Sequence, residues 1–456
     1  MIVTLLAFVV TLGILIVVHE YGHYRVAVAC GVKVLRFSVG FGRVLWRRQR
    51  SPDSTEFTVC ALPLGGYVRM LDEREAPVAP DELDRAFNRR PLAARAAIVV
   101  AGPLANLLLA VLLYAAAHWI GISEPKAVLS APPVGSLAES AGLRAGDWVR
   151  AYSSDGQDWA DLRSMSELRW QVTQAALHGQ VLELQVSDRD GQRSRTVTLD
   201  LSGLPSRDVD AALMKTIGLG APFSEPRLGE VRPGGPAATA GLRAGDEVLS
   251  VDGVAVPDAR SLVERIRAAV RGDAGVPMRW VVERGNERRT LTVVPRLLKE
   301  GGLRIGRIDA VVGQAPAMTL VRLGPIEGLA QGARRTWEVS SLTLRMLGRM
   351  LVGQASLKNL SGPLTIADYA GQSVQHGLAD YLSFLALVSV SLGVLNLMPL
   401  PMLDGGHLMY YIFEAATGRP VSDLWLARLQ RGGFALLLMM MSVALYNDVA
   451  RLLGLQ

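Results

Sequence analysis

Apolar residues are gathered into a few long runs. Residues 2–18 hold no charged side chain, and a run of this length reads as a membrane-spanning helix, placed at 1–28. Further runs at 97–121, 378–400 and 432–447 follow, the last short for a span. The pattern predicts a polytopic α-helical membrane protein with about four spanning helices. The stretch from Pro325 to Val352 mixes apolar residues with Arg334, Arg335, Glu338, Arg345 and Arg349. Within a linker at 298–376, it predicts an amphipathic helix lying at the membrane interface.

The polar stretches have patterns of their own. In the loop 29–96, residues 36–42, 57–61 and 64–70 carry alternating or Gly-punctuated strand patterns, which predict short β-hairpins. Exposed strand edges of this kind can pair with an extended peptide. Farther on, Ala141-Gly142-Leu143-Arg144-Ala145-Gly146-Asp147 recurs as Ala240-Gly241-Leu242-Arg243-Ala244-Gly245-Asp246. Strand patterns follow each copy, so two copies of one compact α+β domain are expected, at 125–202 and 216–297. Residues 401–431, opening with Pro401, Asp404, Gly405 and Gly406, read as an irregular connecting loop at membrane depth.

Composition sharpens this. Hydrophobic residues make up 50% of the chain and charged residues 20%, so membrane spans coexist with substantial soluble parts. The net charge of +6 is spread along the chain without a basic, aromatic-rich run, and nucleic acid is not an expected partner. Two cysteines, Cys30 and Cys60, build no disulfide framework. No Lys or Arg precedes Arg25, which argues against a cleaved signal peptide. Twelve Lys and Arg fall within 26–96, which places that loop in the cytoplasm and the N-terminus and repeated domains outside.

The candidate chemistry sits at the end of the first run, where His19-Glu20-Tyr21-Gly22-His23 reads H-E-x-x-H. On a helix, residues four apart share a face, so His19 and His23 can hold one zinc ion with Glu20 beside it as a base. Ionisable groups in a spanning segment are costly, which favours a functional reading. Residue chemistry leaves Asp404 and His407 both open as third ligand; Asp404 sits at the Pro-to-Gly break and would also suit a helix N-cap. In the second run, Pro103 frees a backbone carbonyl that Asn106 can cap, unless Asn106 bonds a neighbouring helix. A membrane-anchored adaptor with a vestigial metal site is disfavoured by the intact Glu20. A metal transporter is disfavoured because one compact constellation replaces a relay of polar groups.

The repeated domains resemble bacterial, circularly permuted PDZ domains. That likeness makes 216–220, with Ile217, Gly218 and Leu219, the carboxylate-binding loop of the second copy and a peptide the ligand. H-E-x-x-H at 19–23, N-x-x-P-x-x-x-x-D-G from Asn396 to Gly405, the Gly-rich stretches at 37–42 and 65–74, Gly102 to Asn106, and the PDZ pair together resemble the site-2 protease family of intramembrane zinc metalloproteases. The resemblance covers essentially the whole chain. It implies that His19, His23 and Asp404 bind one zinc ion and that Glu20 is the general base. Asn396 would hold the substrate backbone or stabilise the oxyanion, while Gly65, Gly66, Tyr67, Val68, Arg69 and Met70 would pair with the substrate. The implied substrate is a single-pass membrane protein of the anti-sigma factor type, already trimmed outside by another protease in an envelope stress response. The implied location is the bacterial inner membrane, in contact with lipid, with the active site towards the cytoplasm and the PDZ domains in the periplasm.

Overall fold

A computed structural model describes residues 2–204, 216–300, 303–351 and 362–452. The chain divides into two compact units, Met1–Ile122 with Arg322–Gln456, and Ser123–Val321. The first unit contains α1 (Ile2–Ala29), α2 (Leu92–Ile120), α3 (Pro325–Leu351), α4 (Pro363–His376), α5 (Leu378–Asn396), α6 (Asp404–Thr417) and α7 (Asp423–Leu452), with strands β1 (Val34–Arg48) and β2 (Glu56–Met70). Four of these helices, α1, α2, α5 and the stretch Leu424–Ala450 of α7, are long and apolar enough to cross a membrane. With several β-sheets, they define a polytopic membrane protein with β-rich parts.

Helix α2 is the hub of the first unit, because small residues let its neighbours approach closely. A Cβ added at Gly22 of α1 would collide with the Ala101 carbonyl, and one at Gly393 of α5 would stand 3.0 Å from the Pro103 carbonyl. Such small-residue contacts are the usual way for helices to pack where no hydrophobic drive separates protein from lipid. Pro103 lies inside α2 without ending it.

The charged helix α3 packs along α2: Gly328 faces Trp119, Gly332 faces the Val111 backbone, and Val339 is buried with Ala110, Tyr114 and Val390. Arg335 and Glu338, both exposed, pair at 3.2 Å. Two expectations for this unit are corrected. The fourth span is longer than 432–447, since Arg428, Arg431 and Asp448 interrupt its apolar pattern without ending the helix. The connecting loop 401–431 contains a regular helix, α6.

Helix α4 begins after Gly362, which has no side chain to cap it. Asp448 of α7 takes that role, accepting from the Gly362 and Leu364 amides at 2.9 Å and the Thr365 amide at 3.2 Å.

Strands β1 and β2 are each longer than the expected hairpins and pair with an irregular register. Residues 36–39 pair with 66–69 on one side and with 56–59 on the other, while Arg47 and Arg48 return to Thr58 and Phe57. Gly40, Gly42 and Gly65 have positive φ, where L side chains are strained. Among the described residues, no strand lies beyond 66–70.

The second unit has two αβ halves built alike. In the first, strands Ala160–Asp161, Trp148–Ser153, Val181–Ser187 and Arg195–Asp200 form a sheet in that order, with helix Met165–Leu177. The second half repeats the plan with Val254–Ala255, Glu247–Val251, Met278–Arg284 and Glu287–Val293, and with helix Ala259–Ala268.

The repeated motif explains the likeness. Asp147 accepts from the Arg144 amide and the Arg195 guanidinium, both at 2.7 Å, and Arg195 also donates to the Gly142 carbonyl. Asp246 accepts from the Arg243 amide and from Arg284, which donates to the Gly241 carbonyl. Each copy therefore pins its turn to a strand through one buried carboxylate.

The domain boundary moves. Ile217 and Leu219 are buried in the core of the first half, with Leu168, Val172 and Leu184. The second core begins at Leu228 and extends to Ile308, beyond the expected 297. The chain completes the first core only after residues 205–215, which lie outside the described residues.

Candidate active site

His19 and His23 lie one turn apart near the end of α1. His23 Nδ1 lies 2.8 Å from the Ile98 carbonyl of α2, so Nδ1 donates and Nε2 is left as an acceptor. That Nε2 points to His19 Nε2, 3.1 Å away. Gly102 makes room for the ring: a Cβ there would fall inside the His23 imidazole.

Asp404 comes from the other end of the chain. It is the first residue of α6, and Leu403 occupies the N-cap position with no side-chain cap bond. The carboxylate is turned to the histidines, with Oδ2 at 3.1 Å from His19 Nε2 and 3.6 Å from His23 Nε2. Gly405 and Gly406 allow this, since a Cβ on either would strike the carbonyls of the preceding 397–400 turn. Residues 401–403 include Met402 at φ 84°, a left-handed conformation rare for a side chain of this size.

These three are the one group of metal-competent donors among the described residues. Their chemistry fits zinc. Donors about 2.0–2.1 Å from a tetrahedral ion stand roughly 3.3–3.4 Å from one another, which the observed separations bracket. His407, by contrast, is outside the group and packs edge-on against Tyr410 at 5.9 Å.

Glu20 faces the strand. A Cβ added at Gly66 would stand 3.2 Å from Glu20 Cγ and 3.0 Å from Ile16 Cγ2, and the Val68 amide donates to the Glu20 carboxylate. So β2 passes directly beside the residue between the two histidines. Tyr67 stacks on Phe41 and is hydrogen-bonded through its hydroxyl to Arg36, and Arg69 pairs with Glu75 at 3.3 Å. Gly65 lies under the Phe41 ring. Met70 pairs with Val34, and Asn396 is the last residue of α5. Ile217, Gly218 and Leu219 belong to the second unit and to its first half, a correction of their expected place in the second.

Several residues around the site escape a reading by motif. Asn106 does not cap a carbonyl of its own helix; its carboxamide faces His19 Nδ1. Its spacing from Gly102, one helical turn, is the signal that both face α1. Arg95 of α2 forms a two-pronged pair with Glu414 of α6 at 2.6 and 3.2 Å, and lies 5.1 Å over the Tyr411 ring. Residues 319 positions apart carry no sequence signal of such a pairing.

Known proteins resemble this chain along nearly its whole length. Residues 7–440 match the model of Peptidase family M50. The chain is 44% identical, over 98% of both chains, to a protein of Ralstonia nicotianae named as a candidate zinc metalloprotease. It is similar over 98% of both chains to the regulator of sigma E protease of Salmonella typhi, at 37% identity, and to that of Escherichia coli K12, at 36%. The chain belongs to Peptidase family M50, the site-2 proteases. It is an intramembrane zinc metalloprotease.

Proposed function

We propose that this protease uses His19, His23 and Asp404 to hold a single zinc ion and Glu20 as its general base. The observation that carries the reading is the meeting of Asp404 with two histidines some 380 positions earlier, at 3.1 and 3.6 Å. Zinc in such a site acidifies a water and polarises the scissile carbonyl. Glu20 takes the proton from the attacking water and returns it to the leaving amine nitrogen. His23, held by the Ile98 carbonyl, keeps its Nε2 turned to the site throughout.

The substrate is a membrane-spanning segment that must be drawn out of its helix, because its peptide groups are otherwise bonded internally. The open edge at 65–70 pairs with the extended segment, bringing it alongside Glu20. Asn396 holds the opened backbone. A single-pass protein of the anti-sigma factor type, trimmed outside beforehand, is the proposed substrate, in an envelope stress response and in a bacterial inner membrane. Two relatives named as regulators of sigma E protease support that choice. The two αβ halves are PDZ-like filters outside the membrane. Peptide capture by the Ile217, Gly218 and Leu219 loop is assigned to the first of them.

The test is co-expression with single-pass substrates, trimmed and untrimmed, comparing the wild type with Glu20→Gln. Cleavage of the trimmed substrate by the wild type alone is expected. Turnover by Glu20→Gln would remove Glu20 from its role.

A further inference from the structure

Asn106 is 1% exposed and lies beside the site. Its Nδ2 stands 3.4 Å from His19 Nδ1, and its Oδ1 is buried without a hydrogen-bond partner. Its own backbone carbonyl accepts from Ser389 Oγ of α5 at 2.7 Å. That bond is unusual for a serine in this helix, since Ser383 and Ser391 bond back to their own helix, at Ala379 and Leu387. Ser389 is fully buried and reaches across to α2 instead.

The hydrogen inventory is inconsistent with Nδ2 facing His19 once a metal is bound. His19 turns Nε2 to Asp404 and His23, so its proton resides on Nδ1, which is then a donor. An amide N–H facing an imidazole N–H puts two donors together while the one side-chain acceptor of Asn106 goes unused. The two ends of a carboxamide are nearly equal in shape, and half a turn about its last bond presents Oδ1 to Nδ1.

Resting on the metal-site reading above, we infer that Asn106 is a positioning residue: its Oδ1 accepts the His19 Nδ1–H and aims Nε2 at the metal. Ser389 braces Asn106 from α5. The two histidines are thus oriented from the same helix, His23 by the Ile98 carbonyl and His19 by the Asn106 side chain. Partners of this kind fix the tautomer and raise the basicity of the ligating nitrogen.

The experiment measures the zinc dissociation constant of the purified full chain by chelator competition, with the visible absorption of the cobalt-substituted protein as a second readout. Asn106→Leu, which has no acceptor, is expected to weaken zinc binding roughly 10–100-fold, and Asn106→Asp, which can only accept, to stay within about threefold of the wild type. Asn106→Ala, smaller than leucine, is a second acceptor-free variant with the same expected loss. The cobalt spectrum should change for Asn106→Leu and Asn106→Ala and be preserved for Asn106→Asp.

Wild-type affinity in the acceptor-free variants overturns the inference. So does an Asn106→Asp protein that unfolds like the wild type yet loses zinc as Asn106→Leu does. A wild-type chain that binds no zinc would overturn the metal-site reading itself, and this inference with it.

Discussion

Gly102 and His23 are in direct contact: the imidazole occupies the space where a side chain at position 102 would begin. Alanine is the better helix former by about 1 kcal/mol, so Gly102→Ala should leave α2 intact and act only on the ring. Zinc content and cleavage should both fall sharply, by at least about tenfold given how outer partners of ligands behave. Metal analysis of purified Gly102→Ala showing a full complement of zinc would contradict this.

The roles of Asp404 and His407 separate cleanly. Asp404→Ala removes a donor of the cluster and should lower zinc occupancy and abolish cleavage. His407→Ala removes a ring packed on Tyr410 and should retain zinc and measurable activity. Metal content of the two variants in parallel decides; the reverse pattern would reassign the third ligand.

Arg95 and Glu414 tie the helix that carries Asp404 to the helix that carries Ile98 and Asn106. Both side chains are largely buried, so breaking the pair leaves a charge without its partner, at a cost of about 3 kcal/mol. Arg95→Ala and Glu414→Ala should each lower the unfolding midpoint and the zinc affinity. The exchanged pair, Arg95→Glu with Glu414→Arg, should recover part of both. Single and double variants with identical losses would mean that the pair does not act as a unit.

The second half of the second unit has a built-in acid sensitivity. Burial works against ionisation of Asp246, but the Arg284 hydrogen bonds and the Arg243 amide hold its carboxyl below the ordinary range. A lowered folded-state value stabilises the fold fully above the unfolded value of about 3.9 and loses that stabilisation as pH falls through the folded value. Protection against hydrogen exchange within 240–293, measured relative to the unfolded-chain rate at each pH, should therefore fall below about pH 4. Asp246→Asn should flatten that dependence and cost about 3 kcal/mol at neutral pH. An unchanged pH profile in Asp246→Asn would exclude the carboxylate as the source.

Topology can be read by cysteine labelling. With Cys30 and Cys60 replaced, a cysteine at the exposed Ser194 should react with an impermeant reagent in intact cells, and one at the exposed Ser51 should not. The opposite pattern would invert the proposed orientation.

Much of this molecule is legible without coordinates. The spans declare themselves by length and apolarity, and His19 and His23 by helical spacing. Asp404 is harder, because residue chemistry alone admits His407 as well; what separates them is a turn through Met402 and two glycines packed on carbonyls. Helix α6 was hidden by Pro399 and Pro401 just before it and by Gly405 and Gly406 in its first turn, which together read as irregular backbone. The boundary between the two halves was misplaced because the first half recruits Ile217 and Leu219 from beyond residue 215, and no local pattern marks this. The pairing of Arg95 with Glu414 depends on tertiary structure entirely.

The carboxylate of Asp448 has a bearing on the order in which the protein is made. It satisfies three amides at the start of α4, yet it is supplied by α7, a helix made well after α4 on the ribosome. Until α7 has been synthesised and inserted, the first turn of α4 has donors with no acceptor in an apolar setting, a state costing more than any one of those bonds returns in water. The start of α4 is therefore closed by a segment made later, and a chain truncated before position 448 is left with an open seam far upstream of the break.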